Sequence, residues 1–100
     1  MTVVRNREEA KKELDKNVTL ADKNHLNMAV VTVFRKDLIT NDICLTKMFS
    51  DDLVELKSWA DEQIKTFSNL NIPFVIYFGN QLYTQSGDFL FENWWRDKYV

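Results

Sequence analysis

Apolar residues recur along this chain with two spacings, and the switches between them mark out its elements. From Met28 to Phe34 the run MAVVTVF is apolar at successive positions, the pattern of a strand covered on both faces. RKDLITND follows, with the polar and Asx residues of a turn that could include one helical turn, and ICLTKMF (Ile43–Phe49) then resumes strand character. A hairpin and a short crossover both fit. Leu53, Leu56, Ala60, Ile64 and Phe67 next fall in a narrow arc at about 100° per residue, with Trp59 on its flank, so a helix should dock one face on a sheet. Ser50 supplies a hydroxyl cap, and Asp51 and Asp52 lie near the positive end of the helix dipole. Asp51, Glu55, Ser58 and Glu62 are expected to face outward. The helix should stop near Ser68-Asn69, and Ile72-Pro73 forces an extended entry to the next strand.

The first quarter carries weaker patterning. Thr2-Val3-Val4 suits a short strand but is too brief to fix its place. Asn6 and Glu9 form a capping-box pattern that starts a helix at Arg7. Ala10 and Leu14 are its only apolar stripe before Asn17, and Glu8 and Lys12 have the favourable i,i+4 spacing. A solvated, lightly docked helix is expected, with residues 18–27 as a connection.

The last quarter reads FVIYF, a Gly79-Asn80 turn, QLYTQ and an aromatic segment, and it holds nine of the thirteen aromatic residues. Gly79 tolerates the positive φ of a type II′ or I′ turn, which would pair Tyr77 with Leu82 and Ile76 with Tyr83. Phe74–Phe78 reads as interior and the return strand as an edge. Ser86 or Asp88 can cap a final helix, in which Leu90, Phe91, Trp94 and Trp95 span one face while Phe89 and Tyr99 fall outside it. The expected fold class is therefore α+β: a single domain over residues 1–100, with a sheet of about four strands, an amphipathic helix packed on it and flanking N- and C-terminal helices.

Charge changes the picture in one respect. Residues 1–49 carry nine Lys/Arg and seven Asp/Glu, whereas residues 50–100 carry four and eight. Phosphate binding depends on clustered Lys and Arg, so this acidic half argues against nucleic acid and suits a basic protein partner. Cys44 is the single cysteine, which points to a reducing, cytoplasmic setting and excludes an intrachain disulfide. No apolar run approaches the roughly 20 residues of a membrane span. The Asn17-Val18-Thr19 sequon is read as chance.

From Ser50 onward, the order helix, Ile72-Pro73, strand, tight turn, strand, helix resembles the second half of a thioredoxin-like domain. Val3-Val4, Arg7–Lys16 and Met28–Phe34 can be matched to its first half. The resemblance implies a cis proline at Pro73 and a core sheet with parallel pairing. It also implies an active-site cysteine where this chain reads Arg35-Lys36-Asp37-Leu38, so the redox chemistry is absent and a redox-inactive interaction module is what remains.

No nucleophile with a positioned base stands out, because His25 is the lone histidine and sits in a polar connection; a dyad with Cys44 would need the fold to bring them together. No catalytic residue, metal site or cofactor is expected, since no His/Cys/carboxylate cluster has ligand spacing. The expected function is a small non-catalytic binding protein that inhibits or modulates another macromolecule. In its composition it resembles the small accessory proteins of phages and mobile elements that bind host or defence proteins. Phe89, Trp94, Trp95 and Tyr99 are the candidate anchors and Asp51, Glu55 and Glu62 the candidate acidic contacts. A homodimer is compatible with this reading. Stacking of single-stranded nucleic acid is the rival reading.

Overall fold

The computed structural model describes residues 2–23 and 29–86. Its elements run β1 (Thr2–Val4), α1 (Arg7–Lys23), β2 (Ala29–Lys36), β3 (Ile43–Ser50), α2 (Leu53–Asn69), β4 (Phe74–Phe78) and β5 (Gln81–Gln85). The strands form one five-stranded sheet in the order β1-β3-β2-β4-β5, and every neighbouring pair is antiparallel. The α+β class holds, with five strands rather than four. The additional strand is β1, which three residues of sequence could not place; it gains its partner at a distance, pairing Thr2, Val3 and Val4 with Leu45, Cys44 and Ile43. The thioredoxin resemblance does not extend to the sheet, which has no parallel pair among the described residues, and the Ile72–Pro73 peptide is trans.

Among the described residues each face of the sheet carries one helix. On one face α1 inserts Ala10 and Leu14 against Val4, Phe34, Leu45, Val75 and Tyr77, and Phe34 meets Tyr77 edge to face at 6.1 Å. On the other, α2 sets Leu56 and Ala60 on Val31, Val33, Phe74 and Ile76, flanked by half-buried Trp59, Ile64 and Phe67. This explains why β2 and β4 are apolar on both sides: alternate residues of each serve different helices. Leu53 departs from its expected place in the α2 arc and is 63% exposed.

Local chemistry sets the element ends. Asn6 Oδ1 accepts the Glu9 N–H at 2.9 Å while the Glu9 carboxylate accepts the Arg5 N–H at 2.8 Å, a capping box displaced by one residue. Past this start α1 runs on through Asn17 to Lys23, where a connection was expected; an interior Asn costs only about 0.7 kcal/mol relative to Ala, too little to end a helix. The β4–β5 turn has Gly79 at φ +61, as the first central position of a type II′ turn requires. Tyr77 pairs with Leu82 as expected, but a bulge moves Thr84, rather than Tyr83, opposite Ile76. RKDLITND makes a hairpin: Asp37 and Asp42 close it, and Asn41 N–H donates to the Asp37 carbonyl in one helical-type turn.

Candidate functional site

The outward face of α2 begins at a fixed point. Asp52 rather than Ser50 is the N-cap: its carboxylate accepts the N–H groups of Val54 and Glu55 at 2.9 and 3.3 Å. Ser50 is the last, buried residue of β3, and its hydroxyl accepts the Asp52 N–H and donates to Glu55 Oε2, both at 3.0 Å. Glu55 is thereby tied to the strand it follows. Glu62 lies seven residues on, about two turns and ~10 Å along the same side of the helix. Beside it the Asp61 carboxylate accepts the Tyr83 hydroxyl at 3.2 Å, and the Tyr83 ring meets Phe78 at 5.0 Å. The β5 bulge places Tyr83 there. Desolvation, the Asp61 charge and this hydrogen bond together push the Tyr83 hydroxyl above its ordinary value of 10.0.

A shallow depression of about 450 Å³ runs along this face, lined by Val54, Lys57, Ser58, Asp61, Glu62 and Lys65. From Asp51 to Lys65 the chain carries five acidic residues (Asp51, Asp52, Glu55, Asp61, Glu62) and two basic ones (Lys57, Lys65), a net charge of −3. None of these seven side chains takes part in an ion pair among the described residues. Leu53 and Val54, 63% and 78% exposed, add an apolar foot at the N-terminal end.

The other helix disposes of its charge differently. Over Arg7–Lys23, α1 has five basic and five acidic residues, hence no net charge. Lys11 pairs with Asp15 at 2.7 Å and Lys16 with Glu13 at 3.1 Å, while Lys47 reaches from β3 to the Glu13 carboxylate at 3.2 Å and to its carbonyl at 3.1 Å. The expected Glu8–Lys12 pair is not among these contacts. Burial pushes the Glu13 carboxyl up, but hydrogen bonds and charge from Lys16 and Lys47 outweigh it and hold the group below its ordinary value of 4.5.

Of the residues singled out from sequence, Asp51, Glu55 and Glu62 are exposed on α2 as expected. Phe89, Trp94, Trp95, Tyr99 and His25 lie outside the described residues. Cys44 is buried at 5% exposure, opposite Arg35 and Val3 in the sheet. Among the described residues no group of three His, Cys, Asp or Glu side chains is placed to hold a metal, and no helix is long and apolar enough to cross a membrane. Val54 and Tyr83 were missed. Val54 falls off the apolar arc and so could have been found in the sequence, whereas the position of Tyr83 depends on a bulge that leaves no mark there. Comparison with models of known protein families, with curated proteins and with solved structures returns no match.

Proposed function

We propose that the chain is a non-catalytic binding protein that inhibits or modulates another macromolecule, with the outward face of α2 as part of its contact surface and a protein bearing a basic surface as its partner. The supporting observation is the charge from Asp51 to Lys65, net −3 and without an ion pair among the described residues, beside exposed Leu53 and Val54. Charges without an intramolecular counter-ion steer an oppositely charged partner and set its register, and neighbouring apolar side chains add burial on contact. Phe89, Trp94, Trp95 and Tyr99 supply aromatic anchors in this reading. Stoichiometric action of this kind is that of phage or mobile-element accessory proteins, and it goes with a cytoplasmic setting. The acidic face runs against single-stranded nucleic acid, and the antiparallel sheet lends no support to a thioredoxin-like module.

Affinity purification from the source cells, read by mass spectrometry, should recover one protein in stoichiometric amount. Trp95→Ala or Phe89→Ala should lose that protein at an unchanged thermal midpoint. Retention of the protein by both variants would overturn the aromatic part of the reading. Binding of a labelled single-stranded oligonucleotide with a steep salt dependence would overturn the reading as a whole.

A further inference from the structure

The sheet has two edges, and they are guarded unequally. An edge strand presents backbone N–H and C=O groups that invite another strand, and it is commonly blunted by a bulge, a proline or an outward-pointing charge. β5 carries a bulge opposite Ile76 and Tyr77. At the other edge β1 covers β3 only at Ile43, Cys44 and Leu45, while Thr46–Ser50 has β2 on one side and no strand on the other among the described residues.

Register identifies the groups left open, because neighbouring residues of a strand turn their backbone groups to opposite sides. The Asp37 N–H donates to the Asp42 carbonyl and the Gly79 N–H to the Val30 carbonyl, both at 2.8 Å. Odd-numbered residues of β2 therefore bond toward β3 and even-numbered ones toward β4. It follows that even-numbered residues of β3 bond to β2 and odd-numbered ones turn outward. Ile43 and Leu45 meet Val4 and Thr2 of β1 in this way. Lys47 and Phe49 meet no strand among the described residues, so the N–H and C=O groups of both face out in a row.

Nothing in Thr46–Ser50 blunts this row. β3 follows β2 without a register shift, and no proline interrupts it. Lys47 is the one charged residue there, and its side chain is drawn over the sheet to α1, where Nζ meets the Glu13 carboxylate at 3.2 Å and the Glu13 carbonyl at 3.1 Å. Phe49, 37% exposed, and partly buried Met48 offer apolar side chains on the two faces.

We infer that the Thr46–Ser50 edge takes an extended segment of the partner as an added antiparallel strand in line with β1, with basic residues at that segment's N-terminal end. An extended backbone is what satisfies N–H and C=O groups arrayed along a strand. The antiparallel direction repeats every pairing in the sheet. It brings the segment's N-terminal end to Ser50, where Asp51 and Asp52 follow and the Ser50 hydroxyl holds Glu55 at 3.0 Å. The edge thus leads into the acidic face of α2, and the inference rests on the basic partner proposed for that face. A second copy fits less well. Pairing Thr46–Ser50 with itself about a two-fold axis would bring Asp51 of one copy to the place beside Leu45 that Thr2 already holds.

Amide NMR of the labelled chain, titrated to millimolar concentration with a synthetic peptide of two lysines followed by alternating threonine and valine, tests this. Hydrogen exchange at Lys47 and Phe49 should slow at least about tenfold, with little change at Thr46 and Met48, whose N–H groups already bond to β2. Phe49→Pro removes an N–H outside the β2–β3 ladder, so it should stay folded and bind the peptide at least about tenfold more weakly. Phe49→Thr keeps that N–H and should bind within about threefold of wild type. A peptide that does not bind, or binds without slowing Lys47 and Phe49, overturns the inference, as does a folded Phe49→Pro that binds like wild type. Shifts confined to Asp51, Glu55 and Glu62 would overturn the added strand and leave the acidic-face reading standing. Equal addition of a peptide with glutamates in place of the lysines would support the strand and overturn the basic partner. Slowing at Lys47 and Phe49 that grows with protein concentration alone would make the occupant a second copy and overturn the inference.

Discussion

Helices α1 and α2 have the same length, 17 residues, and cover opposite faces of the same sheet, yet they treat solvent in opposite ways. On α1 four of the described charged side chains are joined in ion pairs and the helix is neutral by sequence, with Lys47 tying it to β3. On the α2 side, from Asp51 to Lys65, five acidic residues face two basic ones, a net −3 of which the helix itself carries −1 and the two aspartates before it −2, and none has an ion-pair partner among the described residues. Docking does not account for this, since Leu56 and Ala60 are fully buried whatever the outer face carries. Charge without an ion pair among the described residues, on an otherwise well-seated helix, suits a partner outside the chain.

The two apolar anchors give the largest expected effect. Leu14→Ala and Leu56→Ala should each cost about 2–5 kcal/mol in denaturant unfolding, the range for truncating a fully buried leucine. Their local consequences should differ. Trp59, Ile64 and Phe67 still hold α2 when Leu56 is cut, whereas cutting Leu14 leaves Ala10 as the buried residue on the described part of α1. Hydrogen exchange should therefore speed up across α1 in Leu14→Ala well before global unfolding, and stay slow across α2 in Leu56→Ala. Equal local protection in both variants would show that the helices are docked alike.

Caps come next. Asp52→Ala and Asn6→Ala should each destabilise by about 1 kcal/mol, because each leaves N–H groups of a first helical turn without an acceptor. Asp52 is expected to matter more, since it serves two N–H groups where Asn6 serves one. A larger midpoint shift for Asn6→Ala would reverse that order.

Acid should act through α1. The Glu13 carboxyl titrates lower in the folded than in the unfolded chain, so its contribution is fully present above the ordinary value of 4.5 and is lost as pH falls through the folded value. Lys47→Met should reduce this acid-dependent loss and cost about 1 kcal/mol near neutral pH, the upper end of the range for a surface ion pair, since both side chains are largely covered. Tyr83 has the opposite sign: with its hydroxyl pushed above 10.0, its contribution is present below that value and lost as pH rises through the folded value. An acid limb of the stability–pH curve unchanged in Lys47→Met would remove Lys47 from the account.

Much of this architecture was legible from local signals. The Asn6–Glu9 box, the doubly covered β2, the Gly79 turn and the Leu56–Phe67 arc each depend on residues close in sequence, where propensity and period act directly. What could not be read depended on distant partners. β1 becomes an edge strand because Ile43–Leu45 offers a row of backbone groups, and the bulge that carries Tyr83 toward Asp61 has no sequence mark. The acidic residues of α2 were visible as outward-facing, but their lack of ion pairs was not, because pairing is decided by side-chain reach. The same limit misassigned α1, where Glu8–Lys12 spacing was favourable while Lys11–Asp15 and Lys16–Glu13 form instead. The aromatic anchors Phe89, Trp94, Trp95 and Tyr99 stand as sequence readings, outside the described residues.

Charge reversals on the two helices should have the smallest effect on stability and the largest on partner binding. Asp51→Lys/Glu62→Lys on the α2 side and the sign swap Glu8→Lys/Lys12→Glu on α1 both alter exposed side chains and should leave the unfolding free energy within about 0.5 kcal/mol. The decisive measurement is titration calorimetry of wild type and both variants against the protein recovered by affinity purification, at low and at physiological salt. The α2 reversal should weaken binding at least about tenfold and flatten its salt dependence, while the α1 swap stays within about twofold of wild type. Wild-type affinity for the α2 reversal, or an equal loss for both variants, would contradict the assignment of the α2 face as the contact surface.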